Sequence, residues 1–187
     1  MITTYFAPHT HPIDIHEMLM KLWVMTHAST QSTVYPTFHG VALVPWGSFF
    51  STGSQIVAQY QSLLRTHDYK HFILISSCWD LPQTPLGTTI NAPLGELKLG
   101  QIPHSLQSFS ALNEHILIHM CYLQTYCLVE SVIPLILDPS HLLVDEVIAM
   151  MDDRTAVIMI DDSILANLDF GSPSAPQSMV ERIRHRP

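Results

Sequence analysis

Glu114, His115 and His119 stand close together in the segment NEHILIHMCYLQTY. On a helix the two histidines fall one turn apart, and such a pair can chelate a metal ion. In the HExxH arrangement of zinc proteases the acid follows the first histidine and acts as general base. Here Glu114 precedes it, so that geometry is missing. The plainer reading is a half-buried helix face with one imidazole hydrogen-bonded. His9 and His11, in PHTHP, could grip a metal from a loop, but the sequence fixes no partners for them.

A second set of reactive side chains falls where apolar runs end: Pro45-Trp46-Gly47-Ser48, Ser76-Ser77-Cys78-Trp79-Asp80 and Asp161-Asp162-Ser163. In a parallel sheet, ligands usually sit at the carboxyl ends of the strands. These three ends would bring two indoles, a thiol, hydroxyls and carboxylates around one crevice. Trp46, Ser48, Cys78, Trp79, Asp80, Asp161 and Asp162 are therefore the candidate cleft residues. Alternatively the tryptophans plug the end of the sheet, and the serines and aspartates cap helices. Cys78 as a nucleophile needs an adjacent base and a lowered pKa, and nearby Asp80 acts in the opposite sense. GSFFSTG lacks the lysine and glycine spacing of a phosphate loop, and no glycine-rich dinucleotide fingerprint appears. The residues alone single out no catalytic set.

The elements that must carry these groups follow from hydrophobic spacing. In residues 13–25, Ile15, Met18, Leu19, Leu22 and Trp23 share one helical face, with Asp14 as cap and Glu17 completing a capping box. Residues 26–39 read as a loop. GVALVPW is a short buried strand, and a second helix with Ile56, Tyr60, Leu63 and Leu64 runs over 51–65. HFILISSCWD is the next strand, so strand, helix and strand imply a parallel βαβ unit. Short extended pieces in 81–103 suggest a hairpin. A helix over 110–126, a strand VESVIPLIL, a helix over 139–152 and a strand TAVIMIDDS complete the order. The expectation is one α/β domain over residues 1–170 with about four parallel strands flanked by helices, and a linker-like tail over 171–187.

Composition narrows the function classes. Hydrophobic residues make up 47% of the 187 and charged residues 13%, the balance of a folded chain with a sizeable core. A net charge of −8 with only eight Lys plus Arg offers no basic face for nucleic acid. No apolar run approaches the roughly 20 residues that span a bilayer, and the first residues do not form a secretory signal. The expected location is cytoplasmic. Cys78, Cys121 and Cys127 have no CxxC spacing and suit a reducing compartment. The twelve histidines are scattered along the chain, so their abundance does not define a site.

Taken in order, several segments resemble the Memo-like family, which shares its fold with class III extradiol ring-cleaving dioxygenases of the LigB type. YFAPHTHPIDIHEMLMKLW is similar to the family's opening segment and following helix. GVALVPWGSFFSTG and HFILISSCWDLP are similar to its first two hallmark strands. NAPLGELKLGQ resembles its TPLG segment, NEHILIHMCYLQTY its EH helix with VIPLIL after it, and AVIMIDDSIL its third hallmark strand. The resemblance covers residues 5 to 165, and APLGE and the EH helix are its most specific parts.

The departures lie at the metal site. The family's first histidine falls on Trp46, the second on Trp79 (with Asp80 or Cys78 one residue away), and the third on Leu165. Of the family's polar site residues, Glu114, His115 and Asp162 remain. The resemblance therefore implies a scaffold with no metal or other cofactor at that site, with His115 and His119 as the weaker metal alternative. It implies a small organic ligand as partner, and no nucleic acid or membrane. Typical members continue about a hundred residues further, so an uncovered surface and a homo-oligomer, a dimer, are expected. The competing expectation is an enzyme with a relocated site drawing on His115, His119, Asp161, Asp162 or Cys78.

Overall fold

The computed structural model describes residues 12–28, 40–45, 49–65, 67–77, 84–85, 87–137 and 144–161. At its centre β1 (Val41–Pro45), β2 (His71–Ser76), β7 (Ser131–Ile136) and β8 (Thr155–Asp161) form one parallel sheet in the order β1-β8-β2-β7. The strands read as near-continuous apolar runs because helices cover both faces. α1 (Pro12–Ala28), α2 (Phe49–Leu64) and α3 (Glu114–Tyr126) pack on the face carrying Ala42, Val44, Phe72, Leu74, Val132 and Ile158. α4 (Val144–Ala149) and the 3-10 turn η1 (His104–Phe109) pack on the face carrying Leu43, Ile73, Ile75, Leu135 and Met159. The result is a single three-layer α/β domain. Each fully buried Leu, Ile or Phe contributes roughly 1.5–3 kcal/mol.

The order places β8, the last strand, between β1 and β2. The βαβ unit read from the sequence is present, but its two strands are joined through β8 rather than to each other. α2 and α3 cross in one direction over one face, and α4 crosses back over the other, so these crossovers share one hand.

β7 is an edge strand, and its outer side is covered by the long connection from β2 to α3. That connection contains β4 (Thr89–Ala92) and β5 (Gly95–Lys98), an antiparallel hairpin as the sequence suggests. It then lays Leu99 beside Val132, and the Gly100 amide donates to the Val132 carbonyl at 3.0 Å. Pro134 is tolerated within β7 because an edge strand can spare one backbone donor.

Several local expectations are corrected: α1 runs on to Ala28, into the segment read as a loop over 26–39, and α4 ends at Ala149, short of 152. α1 starts at Pro12, so Asp14 lies in its first turn and is not its cap. Proline suits a helix's first turn, where its missing N–H costs nothing. α3 starts at Glu114 and not at 110, because Ala111–Leu112 is β6, paired antiparallel with β3 (Thr84–Pro85). The tail over 171–187 lies outside the described residues.

Candidate site at the carboxyl edge of the sheet

Asn113 brings α3 to the carboxyl edge. It is 2% exposed and caps the helix, its side-chain oxygen accepting from the Ile116 amide at 3.0 Å. Its side-chain nitrogen donates to Ser76 Oγ at 3.0 Å, at the last residue of β2. One side chain thus satisfies a helix-end donor and fixes where the helix meets the sheet. The next two residues, Glu114 and His115, are consequently held beside the end of β2. Glu114 is half-buried and sits in the first helical turn, where a carboxylate is favoured by the helix dipole. His115 is buried.

His119 lies one turn further in and is 1% exposed. Its Nδ1 is 3.0 Å from the hydroxyl of Tyr60, on α2, and the ring lies near enough to the Pro45 carbonyl at the end of β1 to feel it. A carbonyl can only accept, so the Pro45 oxygen favours the tautomer in which Nδ1 accepts from the phenol. Burial pushes the imidazole pKa down to about 3; charge on His115 lowers it further, and the Pro45 carbonyl opposes. Burial likewise holds the Tyr60 phenol well above its ordinary value, so it remains a donor. His119 is a neutral tie between α2 and α3, held near the end of β1.

Aromatic rings surround this tie. Tyr60 stacks on Tyr122 with centroids 5.7 Å apart, and Tyr126 approaches Trp23 of α1 to 4.4 Å. The Tyr126 hydroxyl donates to the Leu19 carbonyl at 2.9 Å. Cys121 and Cys127 donate to carbonyls one turn back, and burial pushes both thiols up to about 12. They are packing residues without nucleophilic character at neutral pH.

Of the candidate residues, Glu114, His115 and His119 are thus brought to the end of the sheet where β1, β2 and β8 terminate. Asp161 is described only as the last residue of β8, in register beside Pro45. Trp46, Ser48, Cys78, Trp79, Asp80, Asp162, Leu165, His9 and His11 lie outside the described residues. Among the described residues, no three or more His, Cys, Asp or Glu gather closely enough to share a metal ion. Likewise, no helix there is long and apolar enough to cross a membrane.

Sequence reasoning missed Asn113, named Ser76 only as part of a strand end, and placed Tyr60 only on an apolar helix face. The asparagine was legible, since Asn directly before a helix-forming run is a favoured cap. The partnership of Tyr60 with His119 was not, because 59 residues separate them. No family model matches the chain, and no curated protein matches it.

Proposed function

We propose that this chain is a Memo-like scaffold that has given up metal chemistry and holds a small organic ligand at the carboxyl edge of its sheet. The observation that carries the reading is His119. It is buried and its Nδ1 is taken up by the Tyr60 hydroxyl, which argues against its being presented to an ion. The residues that fall on the family's histidine positions fit a metal no better. Two indoles and an isobutyl group, Trp46, Trp79 and Leu165, offer no lone pair to iron, copper or zinc.

What the edge retains is recognition chemistry. Glu114 opens α3 beside β2, His115 follows it, and Asp161 ends β8 beside the strand that leads into Trp46. An apolar cleft with a few convergent polar groups suits a compact organic molecule. Those polar groups would orient it, and the indoles would cover it.

Intrinsic tryptophan fluorescence tests this reading. Trp46→Phe and Trp79→Phe separate the two cleft indoles from Trp23. Saturable quenching by at least one compound of a small-molecule panel, lost in those variants and weakened by Glu114→Gln, is expected. A flat response from the unmodified chain across aromatic acids, amines and polyols would overturn an open cleft.

A dimer belongs to the same proposal and has its own support. Ile13, Met20 and Val24 lie along one face of α1 and are 61%, 42% and 64% exposed, and Leu128 at the far side of the same groove is 68% exposed. Apolar surface of this kind is commonly covered by a partner.

A further inference from the structure

His71, Ser131 and Thr155 open β2, β7 and β8, and the strand register sets His71 between the other two. Residues level with each other across a sheet point to the same face. Here it is the α4 face, because Ile73, Ile133 and Val157, two residues on in each strand, belong to that core. A cavity of about 540 Å³ opens over this row, with Ile73, Ile102, Ile133 and Met150 as its apolar wall. It lies at the amino edge of the sheet, the opposite end of the strands from the site above.

The polar groups of the cavity are already ordered. His71 Nδ1 lies 2.9 Å from Ser131 Oγ. Thr155, itself buried, donates its hydroxyl to Asp152 Oδ1 at 2.5 Å, and the Arg154 amide donates to the same oxygen at 3.0 Å. The cations at the mouth are spoken for. Arg154 pairs with Glu130 at 2.7 Å, and Lys70 pairs with Asp68 at 2.6 Å. Asp152 is held below the usual carboxylate range, first by the Thr155 hydroxyl, and so stays ionised. Among the described residues no cation sits at ion-pair distance from it. A nucleophilic role for Ser131 does not follow. His71 Nε2 is 3.8 Å from Glu130 Oε2, beyond hydrogen-bond reach, and Glu130 is committed to Arg154, so nothing orients the imidazole as a base.

We propose that this cavity binds a small organic cation, a protonated amine on a compact apolar body. The ammonium would sit against Asp152, with the Ser131 hydroxyl as a further acceptor, and the apolar part against Ile102, Ile133 and Met150. An anion would meet the Asp152 carboxylate in the lining and Glu130 beside His71. A neutral polar molecule would leave the apolar wall unused.

The test uses the full chain carrying methyl-labelled isoleucine, titrated by NMR with phenethylammonium, with 2-phenylethanol as its neutral counterpart. The amine should shift the methyls of Ile73, Ile102 and Ile133 at low millimolar concentration, and leave Ile116 and Ile158 on the other face unmoved. Asp152→Asn should weaken the amine by about threefold to tenfold, the scale of one partly screened ion pair, and leave the alcohol unchanged. Ile102→Trp, which fills the cavity, should abolish the response to both. Equal responses to amine and alcohol, shifts confined to other residues, or an amine response indifferent to Asp152→Asn would overturn the proposal.

Discussion

His119 is the residue on which the reading of this chain turns. Its i, i+4 relation to His115 was legible, and its plainer reading was one hydrogen-bonded imidazole, with a chelating pair as the sharper alternative. Burial of the ring and its contact with the Tyr60 hydroxyl favour the hydrogen-bonded imidazole. Tyr60→Phe removes the phenol's proton and leaves a buried ring nitrogen unsatisfied, so a loss of about 1–3 kcal/mol in urea unfolding is expected. A pH dependence follows as well. In the unfolded chain this histidine takes up a proton near its ordinary value of 6.5, whereas the folded chain resists until about 3. Between those values the unfolded state binds more protons, so stability is full above the window and falls as pH drops through it. For a fully buried group the loss is on the order of 3–5 kcal/mol across the window. His119→Gln should therefore be less stable than the parent at neutral pH, and the gap should narrow on acidification. Urea midpoints near pH 7 and about pH 4.5 measure it. A constant gap would show that the imidazole does not stay neutral in the fold.

At the scale of elements, hydrophobic spacing located the sheet and its helices well, because each run is long and one period dominates it. Ile15, Leu19, Ile56, Tyr60 and Leu63 are all buried as their spacing implies. The hairpin of β4 and β5 was legible too, but the pairing of Thr84–Pro85 with Ala111–Leu112 was not, because each piece is short and its partner is distant in sequence. Nothing local in Ala111–Leu112 says that it pairs with Thr84–Pro85 instead of starting α3. The same limit hid the His71, Ser131 and Thr155 row, which exists only once three strands are in register. Two substitutions test the junctions. Asn113→Ala loses the cap and the tie to Ser76, and should cost about 1–2 kcal/mol. It should also increase amide exchange at Ile116. Gly40, the turn residue just before β1, has φ +81°, and an added Cβ would meet the Thr155 carbonyl at 3.1 Å. Gly40→Ala is therefore expected to lower stability by at least about 1 kcal/mol. An unchanged denaturation midpoint would contradict that backbone geometry.

For the whole molecule, the fold class was legible and the strand order was not, since nothing in β8 announces that it inserts between β1 and β2. The candidate site was legible in part. Its helix half, Glu114 to His119, was singled out in the sequence, whereas its place beside the strand ends was not legible from residue types. Trp46, Trp79 and Asp162, which give the cleft its proposed chemistry, enter from sequence alone. The exposed stripe Ile13, Met20 and Val24 leads to a dimer as the expected mass by light scattering at micromolar concentration, and Val24→Asp should shift it to the monomer. A monomeric parent would remove assembly from the proposal and leave ligand binding standing. The claim that the metal chemistry is gone has a more direct test. Protein purified without an affinity tag, and analysed for iron, copper and zinc, should hold no stoichiometric transition metal. About one equivalent of any of the three, lost on His115→Ala or His119→Ala, would contradict it.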